Sequence, residues 1–266
     1  MWPVAVITFL EGVRNRVLYG IFIFSLIVIF LSIIFANFFM QEIGKVAVDF
    51  NLSAISLAGL LVSLSLSVSL ISKDLDKKTI YFVLSKPVSR AGYVLGKYLG
   101  LIFLVFFSYM ILTALTCLAL WFLKLQYGPY FSGFNWLAYF QAVFFDYLKI
   151  AMFNAIIVLF STITTSSFIT MLFSVLIYVV GQTITDVVNI LTVNISGQET
   201  SPIVKSVIEI SKYIVPNFSA FDFKVISAHG ILVNLNEALS VTLYGVFYSA
   251  IVLFAAAIIF SKKEFL

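Results

Sequence analysis

Two oppositely charged residues lie within a long apolar part of the chain. Asp146 and Lys149 are the only charged residues between Lys124 and Asp186. Because they are three residues apart, they share one face of a helix and can form an ion pair. The pair could lie at a membrane surface, where a lysine reaches water along its own stem. It could instead be a polar spot in a translocation path, or in a seam between two copies of the chain.

Few other residues could perform catalysis or bind a metal. One cysteine and one histidine exclude a disulfide framework and a metal cluster built from these two residue types. An enzyme would need clustered acids, bases or nucleophiles, and the apolar stretches contain few. An ATP-binding P-loop requires G-x-x-x-x-G-K-[ST], whereas the nearest stretch, 92–98, has another spacing and a tyrosine in place of the Ser or Thr. We therefore expect no catalytic residue, metal or cofactor in this chain, and no nucleic-acid partner.

The composition is that of a membrane protein. The chain is 62% hydrophobic and 11% charged, whereas soluble domains carry about 25% charged residues. A membrane-spanning helix needs about 20 mostly apolar residues. We predict an all-α polytopic membrane protein that forms one transmembrane domain over residues 1–266. Its six spans are expected at 17–41, 50–72, 98–123, 137–160, 168–190 and 238–261.

The second span contains alternating serines from Ser63 to Ser69. Such alternation ordinarily favours a β-strand. A membrane β-barrel needs many alternating segments, and this is the only one, so we predict a helix. Its serines could bond to carbonyls four residues earlier. They could also pack helices closely or line a polar translocation surface.

The distribution of Lys and Arg predicts the orientation in the membrane. With the N-terminus in the cytoplasm, the concentrated basic clusters all lie inside. We expect a multi-pass protein of the inner membrane with both termini cytoplasmic. Residues 1–16 are amphipathic and predict an interfacial helix along the inner leaflet, although they could simply extend the first span. Residues 191–237 would lie outside, with a helix beginning at Pro202 that caps the outer mouth or dips back into the membrane.

The stretch between the second and third spans, 73–97, carries six of the chain's 16 Lys and Arg residues. Pro87 disfavours helix at the preceding lysine, and Ser89 can cap a new helix. That helix places glycines at four-residue spacing, which lets another backbone approach closely. We predict a short helix, a turn and a closely packed helix, which is an arrangement that can transmit a push from a docked partner. The alternative is a basic loop that only enforces orientation. The glycines are Gly92, Gly96 and Gly100.

These features together resemble the permeases of type-2 ATP-binding-cassette (ABC) exporters. The most similar branch is the one named after multicopper-enzyme maturation. The stretches that carry the resemblance are 11–20, 77–90, 95–100, 216–222 and 260–265. They span the chain nearly from end to end, and the central one is the most specific.

The resemblance implies six spans, an elbow helix and a coupling helix that docks into a separate ABC ATPase subunit. ATP and Mg²⁺ would bind to that ATPase, and two permeases, identical or not, would form a dimer that drives export. Coupling contacts would be Ile80, Tyr81 and Leu84, whereas the turn would be set by Lys86, Pro87, Ser89 and Arg90. The elbow would include Glu11, Arg14 and Arg16. Copper handling is not supported, because the five methionines, one cysteine and one histidine do not cluster.

Two functional hypotheses follow for a chain of this kind. The first is the membrane subunit of an ATP-driven exporter. The second is an ATP-independent carrier or channel, which usually has charged or broken helices near the membrane midplane. Asp146 and Lys149 are the only residues that approach this second description, and they are the candidate translocation-path residues under the first.

Overall fold

The computed structural model describes residues 1–36, 42–72, 89–164, 166–192 and 215–263. Helices make up most of these residues, and no strand occurs among them. Within these ranges, six helices are long and apolar enough to cross a membrane. The prediction of an all-α polytopic membrane protein is confirmed.

The described residues contain eight α-helices. They are α1 (Trp2–Val13), α2 (Arg16–Ala36), α3 (Ile43–Val62), α4 (Arg90–Gln126), α5 (Trp136–Ile163), α6 (Ser167–Thr192), α7 (Lys224–Ala228) and α8 (Leu235–Lys262). Helix α3 continues directly as a π-helix, Ser63–Ser72, and two 3₁₀ turns occupy Gly128–Phe131 and Ser219–Phe221. The spanning helices are α2, α3 with its π-helix, α4, α5, α6 and α8.

Several helices extend beyond the spans that the sequence predicts. Helix α3 begins at Ile43 rather than at 50, because Lys45 and Asp49 are tolerated near a helix end. There Lys45 donates a 2.7 Å hydrogen bond to Glu42. Helix α4 begins at Arg90, so the last part of the stretch 73–97 is helical. Residues 73–88, which include the five candidates between Ile80 and Pro87, lie outside the described residues.

Helix α1 is separate from the first span. It ends at Val13, and the side-chain oxygen of Asn15 accepts a 3.0 Å bond from the backbone N–H of Val17 in the first turn of α2. Arg14 and Arg16 flank this break. The alternative in which the elbow extends the first span is therefore wrong. The exposed side of α1 carries Trp2, Ile7 and Leu10.

The glycine ridge of α4 packs against α1. A β-carbon at Gly96 would lie 2.8 Å from the carbonyl oxygen of Met1, and one at Gly100 would lie 2.6 Å from that of Ala5. Side chains at these positions would overlap the α1 backbone, and Gly92 is buried in the same helix. At Gly96 and Gly100, α4 thus approaches the backbone of α1 closely.

Helices α3 and α5 form the centre of the bundle. About two thirds of the α3 span and 72% of the α5 span are buried, compared with 22% for α2, 22% for α6 and 28% for α8. The last three therefore present mostly apolar side chains to lipid. Any polar group on the facing sides of α3 and α5 is enclosed by protein.

Residues 215–223 enter the bundle from the loop before α7. The backbone N–H of Phe218 donates a 3.0 Å bond to the carbonyl of Gly181, near the middle of α6. Phe218 is fully buried and packs edge-on against Phe153 of α5. Non-helical backbone at this depth is tolerated because protein surrounds it. The predicted helix from Pro202, whether it caps the outer mouth or dips back into the membrane, lies outside the described residues.

Candidate functional site

The charged pair lies inside the bundle with polar partners on two other helices. The Lys149 Nζ is 2.5 Å from Asp146 Oδ1. Ser56 of α3 donates a 2.8 Å bond to the same carboxylate, and the Tyr109 hydroxyl of α4 donates a 2.7 Å bond to Oδ2. Lys149 also donates a 3.0 Å bond to the Ser56 hydroxyl. Both carboxylate oxygens therefore accept bonds in this closed arrangement.

The position of the pair decides between its two interpretations. Helix α5 has 28 residues, so it is about 42 Å long, whereas the hydrocarbon core of a bilayer is about 30 Å thick. The pair lies near the middle of α5, and Lys149 is 1% exposed. A lysine at a membrane surface would keep its ammonium group in water. The interfacial interpretation is therefore wrong, and the role of a translocation path remains a prediction.

A second polar contact lies between the same two helices. The amide of Asn154 on α5 accepts a 2.6 Å bond from Ser67 and donates a 3.1 Å bond to Ser63. Both serines belong to the π-helix, whose i→i+5 bonding gives a wide turn and brings residues four apart almost into line. The prediction of a helix at the alternating serines is confirmed. We call the polar groups between α3 and α5 the polar seam; its members are Ser56, Ser63, Ser67, Asp146, Lys149 and Asn154.

Asn154 was missed by the sequence reasoning. The available signal was a lone amide side chain in the otherwise apolar stretch 150–160 of the fourth span. Asn154 is fully buried, and a buried amide must find hydrogen-bond partners. That requirement predicts polar partners for Asn154 on a neighbouring helix, but it does not identify them.

The helix ends near Ser89 form a second group of contacts. Ser89 Oγ accepts a 3.1 Å bond from the N–H of Gly92, which confirms the predicted helix cap. Arg90 donates to the carbonyls of Ser261 at 3.1 Å and Lys263 at 2.6 Å, just where α8 ends. The resemblance assigned Arg90 to a turn, and the sequence gave no sign that Arg90 reaches the last span.

Two lysines make similar contacts at the same end of the bundle. Lys97 is buried, donates a 2.8 Å bond to the carbonyl of Leu70 in the π-helix, and lies 3.9 Å from the Glu11 carboxylate. Lys263 donates to the carbonyls of Thr162 and Thr164 at 3.0 and 3.2 Å. Burial lowers the pKa of Lys263. Of the three elbow candidates, Glu11 is thereby placed beside α4.

Comparison with known proteins gives the family of the chain. The family described as "ABC-2 family transporter protein" matches residues 2–265, and no curated protein matches the chain. The matched range contains the whole helical bundle, the polar seam and the helix ends around Arg90. Proteins of this family are membrane components of transport systems that normally work with an ABC ATPase. The chain therefore belongs to the ABC-2 transporter family and is a membrane permease component of an ABC transporter.

Proposed function

We propose that this chain is the permease subunit of an ATP-driven exporter and that residues 73–88 couple it to a separate ATPase subunit. The supporting observation is that the first turns of α4, which follow that stretch directly, are capped and packed against α1. Ser89 caps the helix, and Gly96 and Gly100 hold it against α1 without intervening side chains. A partner that moves residues 73–88 would therefore move α4 and α1 as one body.

The polar seam is the proposed route or gate for the substrate. Its groups lie between the two most buried spans, where they are satisfied by one another. A polar substrate could replace these contacts only if α3 and α5 separate and admit water or substrate groups to the carboxylate and the ammonium. In this proposal ATP binding at the partner supplies the work for that separation.

The proposed membrane orientation places both termini and residues 73–88 on the ATPase side, in the cytoplasm at the inner membrane. The supporting observation is that the basic residues Arg90, Lys97 and Lys263 gather at one end of the bundle. Single cysteines at the exposed positions Lys262 and Ser132, in a Cys117→Ala background, should react with impermeant reagents from opposite sides. Reaction from one side for both positions would refute the orientation.

The proposed assembly contains two permease chains, identical or not, and two ATPases. The lipid-facing α2, α6 and α8 offer broad apolar faces for a second copy. Export rather than import is the proposed direction, supported by the resemblance of stretches such as 77–90 to type-2 exporters and to the multicopper-enzyme-maturation branch. The substrate of that branch is not carried over to this chain.

The coupling assignment can be tested by charge substitution in the proposed docking segment. The double variant Ile80→Asp, Leu84→Asp should insert normally but lose its ABC ATPase on purification from native membranes, because two carboxylates cannot enter an apolar groove without partners. The matched control is Ile231→Asp, Leu232→Asp, which places the same charges on exposed apolar residues before α8. It should retain the ATPase.

The outcomes separate the candidate functions. An ABC ATPase that co-purifies equally with the wild type and with both double variants would refute the coupling assignment. The midplane charges Asp146 and Lys149 are the one feature that favours an ion-driven carrier. Transport by the purified chain alone, driven by an ion gradient and without ATPase, would replace the exporter proposal with that carrier.

A further inference from the structure

Three helix C-termini lie beside the first turns of α4. Helices α3, α5 and α8 run antiparallel to α4, and the last carbonyls of each have no partner further along their own helix. A basic side chain contacts each end. Lys97 bonds to the π-helix that extends α3, Lys263 to the end of α5, and Arg90 to the end of α8. We call Arg90, Lys97 and Lys263 the basic clasp.

These contacts differ from ordinary helix caps. A capping residue usually bonds to its own helix, whereas Arg90 and Lys263 each bond to carbonyls more than 90 positions away in sequence. The negative end of a helix dipole favours a cation there. The planar guanidinium of Arg90 can also hold two carbonyls in a fixed geometry. Each clasp residue therefore fastens one helix to another.

The clasp connects the helices in a definite order. Arg90, in the first turn of α4, holds the end of α8. Lys263 follows α8 directly and holds the end of α5. Lys97 holds the π-helix to α4, so the two described ends that flank residues 73–88 are fixed to each other. Movement of the start of α4 can thus reach α8 and then α5, which carries the buried charged pair.

We propose that the basic clasp is the linkage by which movement of residues 73–88 reaches the helices that bound the polar seam. Arg90 and Lys263 act in series, and both are positioning residues. This inference rests on the proposed coupling to an ATPase. A capping role alone would stabilise the helix ends but would not carry motion from one helix to another.

The test uses the complete permease–ATPase complex reconstituted in lipid. Spin labels are placed at Leu137 and Leu235, which are exposed positions at the starts of α5 and α8, away from the clasp. They report the distance between these two helices without nucleotide and with ATP plus orthovanadate. In Lys263→Met the nucleotide-dependent change should fall at least threefold, because the side chain keeps its bulk but loses its donors. ATPase binding should remain. The matched control, Lys262→Met, removes the same charge from the adjacent exposed residue and should keep the full change.

A double variant tests the serial order. If Arg90 and Lys263 act in one linkage, the nucleotide-dependent distance change should be no smaller in the double variant Arg90→Met, Lys263→Met than in the more severe single variant. If the two contacts act independently, the double variant should lose the sum of the two single-variant losses. Lys263→Arg keeps donors at the position and should retain most of the change, which separates loss of the contact from poor folding.

Several outcomes would overturn the proposal. Equal behaviour of Lys263→Met and Lys262→Met would show that the carbonyl contacts transmit nothing. Additive losses in the double variant would refute the serial order, and loss of ATPase binding in Lys263→Met would assign that residue to docking rather than transmission. A wild-type complex that forms no ATPase contact would refute the proposed function, and the role of the clasp in coupling with it.

Discussion

The charged pair of α5 should behave as one unit whose halves cannot be removed separately. Lys149→Met leaves the Asp146 carboxylate in the bundle with two neutral donors, Ser56 and Tyr109. Asp146→Asn leaves the ammonium group of Lys149 without its counter-ion. Removing one partner of a buried ion pair costs about 3–5 kcal/mol. The unfolding equilibrium of either single variant should therefore shift by roughly 10²- to 10⁴-fold.

The double variant should be far less affected than either single variant. Asp146→Asn together with Lys149→Met removes both charges, and the remaining amide oxygen can still accept from the Tyr109 hydroxyl. Replacing both members of a buried pair by uncharged groups of similar size is often nearly neutral. The double variant should therefore lie within about 1 kcal/mol of the wild type.

The chain contains a matched control for this experiment. Glu42 and Lys45 form another ion pair at the same i,i+3 spacing, with a separation of 2.7 Å, but both side chains are exposed. The hydrogen bond from Lys45 lowers the pKa of Glu42, yet solvent replaces it readily when it is lost. Lys45→Met should leave the stability of the protein unchanged within measurement error.

The assay is reversible unfolding in mixed lipid–detergent micelles, followed by helical circular dichroism as the fraction of denaturing detergent is raised. Additive costs in the double variant would refute the reasoning, because they would mean that the two charges do not stabilise each other. A Lys149→Met variant as stable as Lys45→Met would refute it as well. That result would place Lys149 in contact with water and reopen its assignment to the bundle interior.

Three further predictions follow from individual contacts. Gly100→Ala should lower thermal stability by about 1–3 kcal/mol, because the new β-carbon would overlap the α1 backbone; Gly20→Ala, which meets nothing within 4 Å, should not lower it. Ser89→Ala should cost about 1 kcal/mol through loss of the cap on α4, and Ser89→Asp should retain most of that stability. A cysteine at Ser67, in a Cys117→Ala background, should react with a small water-soluble reagent only when ATP and the ATPase are present; equal reaction without ATP would refute a seam that opens on demand.

Much of the fold could be predicted because it depends on local patterns. Long apolar runs predicted the six spans. Ser89 indicated a helix cap, and Gly100 indicated a close contact between helices. The span ends were less accurate. A search for uncharged runs stops at any charge, whereas Lys45 belongs to α3 because its ammonium is paired at the helix start.

The site could be predicted only in part because its partners are distant in sequence. Asp146 and Lys149 could be identified from the sequence because they are isolated charges in a long apolar stretch. Nothing local indicated that Ser56 and Tyr109, from two other helices, would complete their hydrogen bonds. Arg90 was likewise assigned to a turn, since its contact with the end of α8 joins residues more than 170 positions apart. Such contacts arise from packing, which the local sequence pattern does not encode.

The two groups of polar contacts have different consequences for motion. The Arg90 and Lys263 contacts join cations to helix ends where both side chains are partly exposed, so water can replace a broken bond at little cost. The seam contacts lie among buried residues, where separated charges would lose their partners without gaining water. Movement should therefore begin at Arg90 and Lys263, with the Asp146–Lys149 pair holding α3 and α5 together until water or substrate enters. The buried pair, with the tyrosine and serine that bond to it, then sets the free energy that is needed to open the seam. The clasp transmits the helix movement that must supply this free energy.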